Sequence, residues 1–86
     1  MSHIHAREHL AAGAAVRVDC DYQCNVLVMD DRNYAQYRRG SSFRHHGGFF
    51  RKLPAIVRVP GSGYWNTVID LGGGNARINY NISYIG

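Results

Sequence analysis

The chain has 86 residues, a formal net charge of +4, 45% hydrophobic residues and 19% charged residues. That length holds one domain, expected over residues 1–86, and excludes Rossmann, TIM-barrel and P-loop enzymes. The composition is globular rather than disordered, and the longest apolar run, Val26–Met29, is far short of the ~20 residues of a membrane helix.

Gly and Pro separate short segments rich in Val, Ile, Tyr and Trp, the pattern of an all-β sandwich or barrel. In chain order, a first strand is expected around Ile4–His9, closed by an Ala11-Ala12-Gly13 turn. Val16 and Val18 alternate with Arg17 and Asp19, so the next strand has one apolar and one polar face. The 25–29 segment is apolar on both parities and reads as an interior strand covered from both sides.

The stretch from Asp30 to Gly40 breaks the β pattern. It carries an Asp cap, Arg38 and Arg39 near its end and a Gly stop, with Tyr34 and Tyr37 spaced to share one face. A short helix with both tyrosines on the sheet is expected there. Ala55, Val57 and Val59 form a further strand bracketed by Pro54 and Pro60, which could not interrupt it. After the Pro60-Gly61-Ser62-Gly63 turn, a strand is expected over 64–71, ended by Gly72-Gly73-Gly74. In the last strand Ala76, Ile78, Tyr80, Ile82 and Tyr84 share one parity, and Arg77, Asn79, Asn81 and Ser83 hold the wet one. The expected architecture is a small antiparallel β-sandwich of about six or seven strands with one short inserted helix.

Nine of the ten cations are Arg, and residues 32–58 hold seven cations with no acid before Asp70. Arginine suits bidentate capture of carboxylate or phosphate, so this stretch reads either as an anion-binding face or as a solvated guard against edge aggregation. Within it, His45, His46, Gly47, Gly48, Arg51 and Lys52 form the densest chemistry. The Gly pair either brings backbone N–H groups to a phosphate neutralised by Arg44, Arg51 and Lys52, or is simply a hairpin turn. Phe49 or Phe50 is then a base-stacking platform or a core residue. Trp65 is either a partner-facing platform or a core anchor between the sheets.

Cys20 and Cys24 have C-x3-C spacing, unlike a zinc knuckle, and no metal or cofactor is expected. His3, His5 and His9 would supply nitrogen ligands only if the first strand ran beside the cysteines. Two half-buried thiols flanking a turn are the alternative, with Cys24 unreactive among apolar neighbours. No serine sits in a nucleophile elbow, and no paired-carboxylate motif is visible, so catalysis is not expected. The opening Met-Ser-His-Ile-His has no basic leader with an apolar stretch behind it, so a cytoplasmic location without membrane association is expected.

Several motifs together carry a resemblance. They are Val18-Asp19-Cys20-Asp21, Gln23-Cys24-Asn25-Val26, Met29-Asp30-Asp31 with Asn33-Tyr34, Gly47-Gly48-Phe49-Phe50-Arg51-Lys52-Leu53-Pro54-Ala55, and 60–70 around Gly63-Tyr64-Trp65-Asn66. These are similar to the bacterial family catalogued as domain of unknown function 1883. The resemblance implies a small β-sandwich-like domain, alone or fused to modules such as TIR domains, and no established activity. A fainter likeness of layout to accessory sandwiches of the Golgi-dynamics and prepeptidase types also implies binding or adaptor modules.

The leading expectation is a non-catalytic binding or adaptor module that contacts a protein partner or another copy of itself. The second is a sensor of a small anionic, nucleotide-like ligand held by Arg38, Arg44, Arg51 and Lys52 beside His45 and His46. Nucleic-acid binding ranks third, because +4 is modest and no recognition motif is present.

Overall fold

The computed structural model describes residues 3–70 and 78–86. Strands β1 (His3–Leu10), β2 (Ala15–Cys20) and β3 (Cys24–Asp30) lead into helix α1 (Asp31–Arg39). Strands β4 (His46–Phe50), β5 (Ala55–Arg58), β6 (Gly63–Asp70) and β7 (Tyr80–Ile85) follow. They form a four-stranded sheet in the order β1-β6-β3-β4 and a three-stranded sheet in the order β5-β2-β7. Every strand pair is antiparallel. This is the all-β sandwich with one helix inserted after Met29.

Alternation sets the layers. Val16 and Val18 from β2, Ala55 and Val57 from β5, and Val26 and Val28 from β3 point into one core with Ile69. Val16, Val18, Val26 and Val28 are completely buried, so each contributes roughly 1.5–3 kcal/mol relative to exposure. The opposite parity of β3 is apolar too, as the sequence implies. Leu27 and Met29 join Val68 in a second cluster, covered by Tyr34 and Tyr37 of α1 and by Phe43. The helix lacks a fully buried residue of its own, so those two tyrosines are what dock it.

The turns behave as their residues dictate. Gly13 takes a φ of 86° in a turn closed by Ala14 N–H donating to the Ala11 carbonyl. Asp30 caps α1 by accepting from Asn33 N–H at 2.8 Å, and Gly40 ends it in the left-handed region. Pro54 and Pro60 flank β5 as expected.

Gly47 and Gly48 depart from expectation. They lie inside β4, opposite Leu27 and Val26, rather than in a hairpin turn. Gly47 has a φ of 90°, and a Cβ there would run into the Val26 carbonyl oxygen. The glycine therefore permits a close approach of two backbones, a need that local sequence does not advertise. Phe50 packs on the core while Phe49 stays exposed.

In β7 the expected parity holds, with Tyr80, Ile82 and Tyr84 opposite Cys20, Val18 and Val16. Being on an edge strand, Tyr80 and Tyr84 nevertheless remain exposed. The expected beginning of this strand at Ala76 and Arg77, and the three-glycine stop, lie outside the described residues. No helix among the described residues is long and apolar enough to cross a membrane.

Candidate functional site

The chemistry gathers around the first turn of α1. Asp30 Oδ1 accepts from both the backbone N–H and the side-chain Nδ2 of Asn33, each at 2.8 Å. Asn33 Oδ1 in turn accepts from Arg44 N–H at 2.7 Å, which fastens the α1–β4 loop to the helix. Three grooves open around this knot, and Asp30 borders all of them. The first, of about 670 Å³, runs between Arg32, Gln36, Ser42 and Arg44. The second, of about 580 Å³, is bordered by Phe43, Arg44, His45, His46 and Trp65. The third, of about 400 Å³, lies between Asp31, Ser62, Tyr64 and Trp65.

Trp65 is half-buried, packed on the sandwich core and also bordering two grooves. Its Nε1 donates to the Gly61 carbonyl at 2.9 Å, and its ring meets His46 at a centroid distance of 5.8 Å. Trp65 is therefore packed on the core without being fully enclosed by it.

The basic residues separate. Arg44, His45, His46 and Trp65 come together, whereas Arg51 and Lys52 follow the far end of β4. At ~3.3 Å per residue in an extended strand, Arg51 stands roughly 20 Å along the chain from His45. Gly47 and Gly48 pair within the sheet between the two groups. Arg38 sits on the helix with its guanidinium 5.9 Å from the Tyr34 ring centroid. Of the four cations expected to act together, Arg44 borders the first two grooves, and Arg38, Arg51 and Lys52 border none of the three.

A network that the sequence reading missed lies on the helix side of β1 and β6. Asn66 is 1% exposed and makes three side-chain bonds. Its Nδ2 donates to the Met29 carbonyl at 3.3 Å and to Asp31 Oδ1 at 2.8 Å. Its Oδ1 is 2.7 Å from His5 Nε2. Because both Nδ2 partners are acceptors, Oδ1 must accept, and His5 Nε2 carries the proton. His5 also stacks on Tyr34 at 4.0 Å.

Arg7 grips Asp31 with two bonds of 3.0 and 2.8 Å and lies 3.8 Å over the Tyr64 ring. His3 Nε2 is 3.1 Å from the Tyr34 hydroxyl, and the Tyr37 hydroxyl donates to Asp70 Oδ2 at 2.7 Å. Burial and that bond push the Tyr37 hydroxyl well above its usual pKa. The signal for this network was present as the alternation His3, His5, Arg7, His9 on one face of β1. Its partners Asp31, Asn66 and Asp70 come from distant segments, which no local pattern could bring together.

Hydrogen bonds from Arg7 and then Asn66 hold the Asp31 carboxyl down at about 2. A depressed folded pKa means that this contribution to stability is complete above the ordinary carboxylate range. It is lost as pH falls from about 4 toward 2. Both partners of the ion pair are about half exposed, so the effect is small. Asp31→Asn is expected to flatten this part of the acid-unfolding curve followed by circular dichroism. An acid limb identical to that of the parent chain would remove Asp31 from the account.

Strand β1 runs beside β6, so His3 and His5 face Tyr34, Tyr37 and Asn66 rather than the cysteines. Among the described residues, no group of three or more His, Cys, Asp or Glu side chains is placed to hold a metal ion. Asn79, expected on a free polar row, donates from its backbone and side chain to Asp21.

Among curated proteins and solved structures, none matches the chain. A family model does match, over residues 1–85, and by that match the chain belongs to the family described as domain of unknown function (DUF1883).

Proposed function

We propose that this domain is a non-catalytic binding module that engages a protein partner through the grooves around the start of α1. The observation that carries this reading is the composition of the second groove. It sets the half-buried Trp65 beside Phe43, Arg44 and His46, and Tyr64 continues the surface on the other side of Trp65. Trp, Tyr and Arg dominate the energetics of protein interfaces, because large rigid rings and a planar cation gain most from desolvation. Asp30 borders all three of these grooves, so a bare polyanion would meet a carboxylate there, whereas a peptide offers both donors and acceptors.

Panning random peptides displayed on phage against the full chain tests the reading. Selected peptides are expected to shift the backbone amide resonances of residues 30–33, 43–46 and 64–65. Arg44→Ala, an exposed change, is expected to weaken binding at least about tenfold, the loss of a typical interface arginine. Arg51→Ala with Lys52→Ala is expected to leave binding unchanged. Peptides that map to the 51–52 end, or to a sheet edge, would overturn the assignment. Concentration-dependent self-association with shifts confined to β1 or β7 would point instead to a second copy as partner.

The first groove supports a second reading, a small anionic ligand between Arg32 and Arg44 with Asn33, Gln36 and Ser42 as polar contacts. ATP is the probe. A thermal shift that disappears in Arg32→Ala and Arg44→Ala would favour this reading over the peptide one.

A further inference from the structure

We propose that Cys20 and Cys24 form a redox-active dithiol, at which a small neutral disulfide oxidises the chain to an internal Cys20–Cys24 bond. The placement follows from strand parity. Cys20 ends β2 on the same face as Val16 and Val18, and Cys24 begins β3 on the same face as Val26 and Val28. Those valines fill the core between the sheets, Cys24 is buried among them, and Cys20 packs against the same cluster. Only Asp21, Tyr22 and Gln23 separate the two cysteines, in the arch that carries the chain from one sheet to the other. Disulfides require Cα atoms within about 4.4–6.8 Å and Cβ vectors that converge, and a three-residue arch with both cysteines on the core-facing parity brings them toward one another.

The two thiols differ in access, which orders the chemistry. Cys20 is half-exposed and borders a groove of about 430 Å³ with Asp19, Asp21, Leu53 and Tyr80. Cys24 is 5% exposed, and burial, followed by the neighbouring Cys20 thiol, pushes its thiol up to about 11. Cys20 is therefore the attacking sulfur and Cys24 the resolving one. Asp19 and Asp21 border the groove, so a neutral disulfide approaches more readily than an anionic one.

In the first step the Cys20 thiolate attacks one sulfur of 2-hydroxyethyl disulfide. A mixed disulfide forms, and one molecule of mercaptoethanol leaves as thiolate. Cys24 then loses its proton and attacks the Cys20 sulfur, expelling the second mercaptoethanol. Two electrons pass from the two cysteines to the reagent, and their two protons end on the two released thiolates. The bond formed joins β2 of one sheet to β3 of the other.

The test uses the full chain, folded, with 2-hydroxyethyl disulfide, acid quenching and intact-mass analysis followed by peptide mapping. The expected product has lost the mass of two hydrogen atoms, contains a Cys20–Cys24 linked peptide, and reverts with dithiothreitol. Its midpoint of thermal unfolding is expected to rise by several degrees, because the closed loop restricts the unfolded chain. Cys20→Ser is expected to leave Cys24 unmodified under the same conditions, and Cys24→Ala to stop at the mixed disulfide on Cys20. A parent chain that stops at that mixed disulfide, forms linked dimers, or stays fully reduced while both thiols alkylate after unfolding would overturn the proposal. The parent-chain result decides even if a variant fails to fold.

Discussion

Gly47→Ala is expected to destabilise the domain by about 3 kcal/mol or more, while Gly48→Ala one residue on changes stability by less than about 1 kcal/mol. The contrast isolates geometry, since both glycines lie in β4 opposite β3. At Gly47 the backbone has a φ of 90°, and an added Cβ would collide with the Val26 carbonyl oxygen. A carbonyl held in a sheet cannot step aside as a flexible side chain can. Strain in the left-handed region adds to the collision. At Gly48 an added Cβ meets nothing within 4 Å. Alanine there also restricts the unfolded chain, which offsets any loss. Urea unfolding, followed by far-ultraviolet circular dichroism, gives both values. Equal costs at the two positions would mean that β4 does not approach β3 as described.

Asn66→Ala is expected to cost about 2–4 kcal/mol, the range for breaking a buried hydrogen-bond network. This one side chain ties together three elements besides its own. It donates to Met29 at the end of β3 and to Asp31 in α1, and accepts from His5 on β1. Removing it leaves the Met29 carbonyl and the His5 N–H without these partners, at a position where the Asn66 side chain itself is buried. Asn66→Asp is nearly isosteric and separates size from polarity. At neutral pH it sets a second carboxylate against Asp31 and loses both donated bonds, so its cost is expected to exceed that of alanine. Burial and the neighbouring charge raise the pKa of the introduced carboxyl in the folded state. Its deficit therefore shrinks as pH falls through that raised value and is largest above it. A deficit independent of pH would show that the introduced group is solvated and the network open.

These two positions also show where sequence reasoning reaches its limit. Asn66 is a polar residue inside an apolar strand, and composition alone cannot tell a wet face from a satisfied buried amide. Gly47 sits in a Gly-Gly pair that looks like a turn, because turns are the commonest use of such pairs. Its actual use depends on Val26, 21 positions earlier in the chain.

The basic residues of the expected anion site show a related limit. Arg44 and Arg51 are neighbours in a composition window but lie at opposite ends of an extended strand. Periodicity reports which face a side chain takes, and says nothing of how far a strand carries it. The residues that do gather at the start of α1 include Trp65, from a different strand, held there by the pairing of Asp30 with Trp65 in the β3–β6 register.

What the amino-acid sequence determined by itself was everything governed by local physics. Alternation in β2 specified which of its faces is apolar, and the two apolar parities of β3 required a layer on each side of it. The Asp30 cap, the Gly40 stop and the spacing of Tyr34 and Tyr37 specified the helix and its docking face. The motifs shared along residues 1–85 specified the family. Only the tertiary structure decided which strands are neighbours, and therefore which distant polar groups meet. The His5–Asn66–Asp31–Arg7 chain, the close approach at Gly47 and the grooves around Asp30 all depend on sheet order and register. These arise from burial of the whole apolar set at once, a global condition that no window of residues contains.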